Sequence, residues 1–437
     1  MNTKALRQKI LDLAIHGKLV PQDPNDEPAS VLLERIRDEK ERLIKEGKIK
    51  RPKKSKTTSD KPHYENVPFE VPNSWVWTTL GEIFTLQAGK NITAKDIYTE
   101  KSEEYKYPCF GGNGIRGYVA ISNKIGEYPI IGRQGALCGN INLAHGSFYA
   151  TEHAVVVERY CDTDLMWGYY TLIALNLNQY ATATAQPGLA VNVINDVAIP
   201  LPPLHEQQRI SKSIKILFSF LDVIECEKLY LKTAISQTKT KVLDLAIHGK
   251  LVPQDPTDEP ASKLLKRINP KAEITCDNGH YQKLPEGWCE TTLKHVLTIK
   301  SGNSINVRNC TQGLYPIYGG NGITGHTDDY NIKESTIVIG RVGYYCGSVY
   351  LVRGKAWVSD NAFITTIHKD IFYKKYLYYL LQFLNLRKFS NSTAQPVISG
   401  KTIYPIHVLI PPIREQKRIV AKIEEIFAHL NAIEASL

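Results

Sequence analysis

The sequence predicts an α+β protein in which two mixed α/β domains, related by a pseudo-twofold axis, are separated by a long antiparallel helical coiled coil. Three observations carry this prediction. The chain of 437 residues is a tandem duplication, apolar residues with heptad spacing follow a proline pair in each copy, and short β-branched runs separated by Gly and Asn lie between the helices. The composition, 43% hydrophobic and 22% charged, is that of a globular protein with a core.

Five sequence blocks occur twice in the same order, which excludes chance similarity. The pairs are 10–30 with 242–262, 107–118 with 315–326, 130–141 with 338–349, 184–187 with 393–396, and 202–210 with 411–419. The last pair matches Leu437 to Lys228, and the first pair matches Met1 to Thr233, so only 229–232 lack a partner. This circular closure predicts that Met1 and Leu437 lie close together.

A long helix is predicted after each proline pair, since proline disfavours helix before it and is tolerated in the first turn. The apolar seam has the 4-3-4 spacing of helices that pack along their length. Its residues are Ile210, Ile214, Leu217, Leu221 and Ile224 in the first copy and Ile419, Ile423, Ile426, Leu430 and Ile433 in the second. Pseudo-twofold symmetry favours packing of the two helices against each other, and packing of each on its own domain is the alternative. The first helix, over Leu204–Leu231, would be about 42 Å long.

These patterns predict six segments. They are an N-terminal helical segment (1–46), a basic linker (47–63), a first domain (64–203), a central helical region (204–269), a second domain (270–412) and a C-terminal helix (413–437). Within them we expect helices at Ser30–Glu46, Ser262–Ile268 and Tyr373–Leu386, and strands at Tyr128–Gly132, Ala154–Val157 and Thr336–Gly340.

Basic residues are concentrated in one segment. The net charge is +10, and Lys48–Lys61 contributes +6 of it. This segment is either a solvated tether or a chain that lies along phosphates. The start of the chain lacks the pattern of a signal peptide, no stretch is apolar enough to span a membrane, and the cysteines form no CxxC pair, so we expect a cytoplasmic protein without disulfides or zinc.

Two duplicated glycine motifs are candidate ligand-binding loops. Gly112-Asn-Gly114 and Gly320-Asn-Gly322 begin GxGxxG matches, but strand or turn follows them where a dinucleotide site needs a helix. They are tight turns, and the exposed amides and Arg116 are candidates for phosphate or base contacts. In Gly-Arg-x-Gly, Arg133 and Arg341 are either forks for guanine or phosphate, or members of a salt bridge at the core edge.

No constellation of catalytic residues or metal ligands is predicted. The duplicated acids Asp23, Asp26 and Glu27 lack the E-x-K continuation of a nuclease centre, and acids before a helix ordinarily cap it. The end of a P-loop is mimicked at 400–402, but Gln395 stands where its first glycine belongs. An enzyme that acts alone on nucleic acid therefore lacks support.

The repeated motifs LDLAIHGKLVPQ, YPxxGGNGIxG, IGRxGxxxG and PPLHEQQRI/PPIREQKRI resemble the specificity subunit of type I restriction–modification enzymes over essentially the whole chain. The resemblance implies two target-recognition domains, each of which reads half of a bipartite, asymmetric site in double-stranded DNA. It implies helices that set the spacing and dock two methyltransferase subunits and, through them, the restriction (motor and nuclease) subunits. It also implies a non-catalytic subunit that binds no cofactor, because S-adenosylmethionine belongs to the methyltransferase subunits, and ATP with Mg²⁺ to the restriction subunits. The basic segment Lys48–Lys61 departs from the repeat.

A comparison of the two copies divides the candidate DNA-binding residues. Residues equal in both copies should build the fold or contact phosphate, which is blind to sequence: Asn113/Asn321, Arg133/Arg341 and Gln186/Gln395. Residues that differ are candidates for base readout: Arg116/Thr324, Gln134/Val342, His153/Asn361 and Lys90/Asn303. The alternative function is a non-catalytic helical scaffold for protein assembly, without direct base readout.

Overall fold

The computed structural model describes residues 2–51, 69–135, 137–182, 187–275, 284–305, 313–367, 372–391 and 396–437. The chain divides into two compact units, unit 1 over Met1–Glu227 and unit 2 over Lys228–Leu437. Each unit combines helices with small β-sheets, which confirms the predicted mixed class. The boundary between the units falls inside a single long helix.

Unit 1 contains these helices and strands in chain order: α1 (Thr3–Ile15), α2 (Ala29–Lys45), β1 (Val76–Thr79), α3 (Leu80–Ile83), β2 (Thr85–Ala88), β3 (Tyr107–Gly111), β4 (Gly114–Val119), β5 (Lys124–Ile125), β6 (Tyr128–Gly132), β7 (Ile141–Ala144), β8 (Ser147–Ala150), β9 (Ala154–Glu158), α4 (Leu165–Ala174), α5 (Val191–Asn195), β10 (Ala198–Leu201) and the first part of α6 (Leu204–Ile247). Its sheets have the strand orders β2-β9-β6-β7 and β4-β3-β8-β5, and β1 pairs with β10.

Unit 2 repeats this arrangement with the rest of α6 followed by α7 (Ala261–Ile268), β11 (Cys289–Thr292), β12 (Leu297–Ser301), β13 (Tyr315–Gly319), β14 (Gly322–Thr327), β15 (Thr336–Gly340), β16 (Val349–Val352), β17 (Trp357–Val358), β18 (Ala362–Ile367), α8 (Lys374–Leu384), α9 (Gly400–Ile403), β19 (His407–Ile410) and α10 (Ile413–Ser436). Its sheets, β12-β18-β15-β16 and β14-β13-β17, and the pair β11-β19 match those of unit 1 except at β5, where the described residues of unit 2 have only an isolated bridge between Ile332 and Ala356. The duplication in the sequence is thus a duplication of topology.

The long helix α6 extends well beyond its predicted end. It runs for 44 residues, to Ile247, instead of ending at Leu231, and at 1.5 Å per residue it is about 66 Å long. No glycine or proline interrupts Leu204–Ile247, so nothing in the sequence stops the helix at the junction of the two copies. It ends just before Gly249, which has a φ of +64° that favours glycine.

Each unit pairs two helices in antiparallel fashion. In unit 1, Arg7 of α1 forms an ion pair with Asp222 of α6 at 2.5 Å, while Leu11 shares the core with Ile210. In unit 2, Lys239 of α6 forms an ion pair with Glu434 of α10 at 2.8 Å. The second half of α6 therefore packs against α10 in the way that α1 packs against the first half of α6. The offsets of the repeat require this, because they match α1 to the second half of α6 and α10 to the first half.

The seam residues nearest the proline pairs pack into their own unit. Ile210 and Ile214 belong to the core of unit 1, and Ile419 and Ile423 belong to the core of unit 2. At these positions each helix packs on its own domain, which is the alternative to packing of the two helices against each other. Further along, Leu221 is buried, Leu217, Ile224, Ile426 and Leu430 are half-buried, and Ile433 is 44% exposed. Packing of the two seams against each other stays a prediction, and so does the closeness of the chain ends, because Met1 lies outside the described residues.

Candidate nucleic-acid interface

The two glycine motifs of each unit form one continuous surface. We name them the Gly-Asn turn (111–114 and 319–322) and the Gly-Arg loop (132–140 and 340–348). A Cβ atom added to Gly112 would lie 2.5 Å from the carbonyl oxygen of Gln134, and one added to Gly132 would collide with the carbonyl oxygen of Gly112. Only glycine, which has no Cβ atom, allows two backbones to approach this closely. The glycines therefore allow the Gly-Asn turn and the Gly-Arg loop to pack against each other.

Unit 2 contains the same contact. A Cβ atom on Gly320 would lie 2.6 Å from the carbonyl oxygen of Val342, and one on Gly340 would collide with the carbonyl oxygen of Gly320. The turns themselves have positive φ, +88° at Gly114 and +82° at Gly322, as predicted. Strands β4 and β14 begin at these glycines, so the helix that a dinucleotide site requires is missing at both GxGxxG matches.

A third segment joins this surface in each unit. The Arg133 amide donates a hydrogen bond to the carbonyl of His153 at 2.8 Å, and the Lys90 amide donates to Ala150 at 3.0 Å. In unit 2 the Arg341 amide donates to Asn361 at 2.8 Å, and the Asn303 amide donates to Val358 at 3.0 Å. Backbone hydrogen bonds therefore hold these positions next to the turn and the loop.

The predicted DNA-binding residues that the structure describes are thus gathered at one surface of each unit. The set is Lys90, Asn113, Arg116, Arg133, Gln134 and His153 in unit 1 and Asn303, Asn321, Thr324, Arg341 and Asn361 in unit 2. All are exposed except Arg133, His153 and Arg341, which are half-buried. Gln186 and Gln395 lie outside the described residues, as does most of the basic segment, of which 48–51 are described.

The two matched arginines are held by uncharged oxygens. Arg133 donates from Nε to the carbonyl of Leu189 at 3.1 Å, and Arg341 donates from one terminal nitrogen to Ser301 Oγ at 3.2 Å. In the part of the chain that the structure describes, neither guanidinium has a carboxylate partner within 4.0 Å, so the salt-bridge interpretation is wrong. Each arginine keeps an uncompensated positive charge at the surface, which suits phosphate.

Buried polar atoms without partners lie beneath the surface of unit 1. His153 Nε2 is 3.1 Å from a Glu152 carboxylate oxygen. Among the described residues, no hydrogen bond reaches His153 Nδ1, the other Glu152 oxygen, or the amide nitrogen of Asn142 under the Gly-Asn turn. Because an unmet buried polar group costs roughly 1–3 kcal/mol, each of these atoms favours a polar partner that supplies its hydrogen bond.

The thiol beside the Gly-Asn turn of unit 1 is not activated as a nucleophile. Cys109 lies in β3 beside the turn, and burial raises the pKa of its thiol to about 11, although the nearby Arg116 opposes that shift. The thiol therefore stays protonated near neutral pH. Among the described residues, no group of three or more His, Cys, Asp or Glu side chains could hold a metal ion.

The PPLHEQQRI motif forms a structural clamp that sequence analysis missed. In unit 1, Trp75 Nε1 and Gln22 Nε2 donate to the two carboxylate oxygens of buried Glu206 at 2.9 and 2.6 Å, and Arg209 forms an ion pair with Asp26 at 2.6 Å. Burial raises the pKa of Glu206, and the two donated hydrogen bonds oppose the shift. We name these five residues and their counterparts in unit 2 the EQxR clamp.

Unit 2 repeats the clamp. Trp288 and Gln254 donate to Glu415 at 3.0 and 3.1 Å, and Arg418 forms an ion pair with Asp258 at 2.8 Å. Burial raises the pKa of Glu415 as well. Equality of all five positions in the two copies was a signal that could have found the clamp.

The clamp also corrects the interpretation of the acidic patch. Asp26 serves Arg209, Glu27 forms an ion pair with Arg35 at 2.5 Å, and Asp23 accepts a hydrogen bond from the Asn25 amide at 2.9 Å. The N-cap of α2 is Pro28, and no side chain caps this helix. The acids thus do not cap α2, and their contacts instead join the segment between α1 and α2 to itself, to α2 and to α6.

Comparison with known proteins identifies the family. The family model described as "Type I restriction modification DNA specificity domain" matches residues 72–236 and 285–437, which together are well over half of the chain. The chain belongs to this family. Each match contains the Gly-Asn turn and the Gly-Arg loop of one unit, and the predicted specificity subunit is confirmed.

Known proteins of this family are similar in sequence either to part of this chain or to nearly all of it. The type I restriction enzyme EcoprrI specificity subunit of Escherichia coli is 44% identical over 38% of this chain and 41% of that protein. The EcoAI specificity subunit of Escherichia coli is 26% identical over 99% of this chain and 90% of that protein. Among solved structures, a chain from "Structural basis underlying complex assembly and conformational transition of the type I R-M system" matches 84% of this chain and 94% of its own length, with a TM-score of 0.57 and 16% identity.

The helices of this family member are not membrane spans. Among the described residues, no helix is both long enough and apolar enough to cross a bilayer. Even α6, which has the length, carries charged residues throughout.

Proposed function

We propose that this chain is the DNA-recognition subunit of a type I restriction–modification complex, in which unit 1 and unit 2 each read one half of a bipartite, asymmetric site in double-stranded DNA. One observation carries the proposal: the two units have the same backbone surface but different side chains on it. The matched positions are Lys90/Asn303, Arg116/Thr324, Gln134/Val342 and His153/Asn361. A shared frame suits a shared phosphate backbone, and different side chains suit different bases.

The catalytic steps, methylation and restriction of DNA, would be carried out by the partners of this chain. Its helices would dock two methyltransferase subunits, which bind S-adenosylmethionine, and through them restriction subunits that use ATP and Mg²⁺. The subunit itself would bind no cofactor and would work in the cytoplasm, where its six described cysteines stay reduced. The alternative, a scaffold without base readout, gains no support from a surface built of exposed Asn, Arg, Gln and Lys side chains.

The test is methylation by the reconstituted complex. The full chain is combined with its methyltransferase subunits and S-adenosylmethionine, and methylated adenines are mapped on a random DNA library. We expect one two-part motif with unlike halves, and binding that weakens as salt rises because phosphate contacts release counterions. A palindromic motif, or methylation without sequence preference, would contradict the proposal.

A further inference from the structure

Unit 2 presents an aromatic residue that unit 1 lacks. In the Gly-Arg loop of unit 2, Tyr344 is 68% exposed and Tyr345 is 48% exposed. The Tyr345 ring meets the Tyr344 ring edge-on, with centroids 5.0 Å apart, and the Arg387 guanidinium lies 4.4 Å from the centre of the Tyr344 ring. One face of Tyr344 is thus covered by a cation and its position is fixed, while most of the side chain remains open to solvent.

The same loop backbone occurs in unit 1. In unit 1 the Gly132 amide donates to Asn140 at 2.8 Å and the Gly139 amide donates to Gly132 at 2.7 Å, and in unit 2 the Gly340 and Gly347 amides make the equivalent bonds at 2.8 and 2.7 Å. The short 3-10 turn that carries Arg387 also docks identically. Cβ atoms on Gly139 and Gly347 would meet the amide nitrogens of Asn178 and Arg387 respectively.

On this common frame the side chains differ. Leu137 stands in unit 1 where unit 2 has Tyr345, and Asn178 stands where unit 2 has Arg387. Asn178 turns inward and donates to the carbonyl of Cys138 at 2.8 Å, so it supports the loop and leaves the surface. Arg387 instead supports an exposed aromatic ring.

The surroundings of Tyr344 match the chemistry of a nucleotide. A cavity of about 400 Å³ opens beside it, lined among others by Tyr344, Tyr345, Tyr350, Gln382, Asn385 and Arg387. Tyr350 connects this cavity with the Gly-Asn turn, because its ring lies 3.2 Å from the position that a Cβ atom on Gly322 would occupy. Amide groups and a cation suit hydrogen bonds to base edges, an aromatic ring suits apolar contact with them, and the cavity belongs to the surface proposed to bind DNA.

We propose that Tyr344 is a specificity-determining residue of unit 2, whose ring packs against bases of the half-site that this unit reads, and that Arg387 is the positioning residue that holds the ring. This inference rests on the proposed function, because it presupposes that unit 2 reads a half-site. An exposed but pre-positioned aromatic ring loses little conformational entropy on binding, which suits a contact that decides between sequences.

The experiment uses the full chain in the complex with methyltransferase subunits and a DNA library randomised in each half-site separately. Tyr344→Ala should reduce discrimination at the half-site of unit 2 about tenfold or more, because it removes the contact of the ring with base edges in the groove. Tyr344→Phe, which keeps the ring, should retain it. Leu137→Ala, at the position of the other loop that matches Tyr345, is the control, and it should leave the half-site of unit 2 unchanged.

Arg387 is tested by a double-mutant cycle. Arg387→Ala alone should weaken discrimination at the same half-site, and it should add nothing in the Tyr344→Ala background, because it acts through the ring. The salt dependence of binding should stay the same in Arg387→Ala, whereas loss of a phosphate contact would reduce it. The thermal unfolding temperature of Tyr344→Ala should also stay the same, as expected for a side chain this exposed.

Two results would overturn the inference. One is undiminished discrimination by Tyr344→Ala, and the other is an equal loss of binding on cognate and scrambled half-sites. Failure of the proposed function looks different, because the wild-type complex would then show no two-part motif at all.

Discussion

Arg116 is the residue at which base readout by unit 1 is most directly testable. It is exposed at the start of β4, its aliphatic stem lies over Gly111 of the Gly-Asn turn, and unit 2 has Thr324 at the matched position. An arginine fork that recognises a base contributes roughly 1–3 kcal/mol of discrimination. We expect Arg116→Ala to relax specificity about 5- to 150-fold at one position of the half-site of unit 1, as measured by methylation of a randomised library.

Asn113→Ala is the matched comparison for that variant. Asn113 is also exposed on the Gly-Asn turn but is equal in both copies, so its loss should weaken binding by a similar factor on every sequence. If Arg116→Ala lowers binding equally on cognate and scrambled DNA, Arg116 contacts phosphate and the assignment to base readout is wrong.

Sequence reasoning succeeded for residues whose role is local. The positive φ of Gly114 and Gly322 follows from the Gly-Asn-Gly sequence alone, and β6 and β15 begin and end where the β-branched runs do. The partners of Arg133 and Glu206 were missed because they are far away in the chain. Trp75 and Glu206 are 131 residues apart, and neither periodicity nor spacing connects an indole to a carboxylate at that distance.

At the scale of elements, the EQxR clamp fixes the start of α6 and of α10 to the rest of its own unit. Glu206 joins α6 to the segment after α1 through Gln22 and to the strand region through Trp75. The neighbouring Gln207 accepts a hydrogen bond from the Asp164 amide at 3.0 Å, which ties the N-terminus of α4 to the same turn. The helix is therefore attached to the rest of unit 1 by side chains that no helical pattern reveals.

Substitutions at Glu206 test this attachment. Glu206→Ala leaves the buried Trp75 indole and the Gln22 amide without their acceptor, so we expect unit 1 to lose roughly 1–3 kcal/mol of unfolding free energy in urea titrations. Exposed Glu434 of unit 2, in a surface ion pair with Lys239, provides the control. Glu434→Ala should cost well under 1 kcal/mol.

The pH dependence gives the clamp a second test. Because burial raises the folded-state pKa of Glu206, the folded state binds more protons than the unfolded state at pH values between the unfolded pKa and the folded one. This group's contribution to stability is thus greatest below that range and declines as the pH rises through it. Relative to wild type, Glu206→Gln, which cannot ionise, should gain stability as the pH rises from about 4.5 toward neutrality. A difference between the two proteins that is independent of pH would contradict the burial of an ionised carboxylate here.

At the scale of the whole molecule, the sequence predicted the duplication and its circular closure but not the length of the helix between the copies. The predicted helix ends at Leu231, and Lys228 breaks its apolar seam near that end. Helix continuity depends on the backbone, however, and a charged residue on an exposed turn does not break it. The seam predicts where a helix packs, whereas the absence of glycine and proline predicts how far it continues.

This continuity makes α6 testable as the element that sets the spacing between half-sites. We expect an insertion of seven helix-forming residues between Glu227 and Lys228, the boundary of the two units, to lengthen α6 by about 10.5 Å with little rotation about its axis. That length corresponds to about 3 base pairs at 3.4 Å each. Three extra base pairs also turn the second half-site by about 100° around the duplex, since B-DNA completes a turn in about 10.5 base pairs. Methylation at the original spacing should therefore be lost, and any site that the variant methylates should keep both half-sites with a longer spacer, because the residues proposed to read bases lie outside the insertion.

The control insertion separates length from disruption. Five residues rotate the following part of the helix by about 140° relative to the preceding part, whereas seven residues return it to within about 20° of its original direction. Both insertions should therefore abolish methylation at the original spacing, and the two variants should differ in the spacer length at which methylation returns, with the same two half-sites. An unchanged spacer in the seven-residue variant would show that α6 does not determine the distance between the half-sites, and unit 1 and unit 2 would then read their bases independently of the helix that joins them.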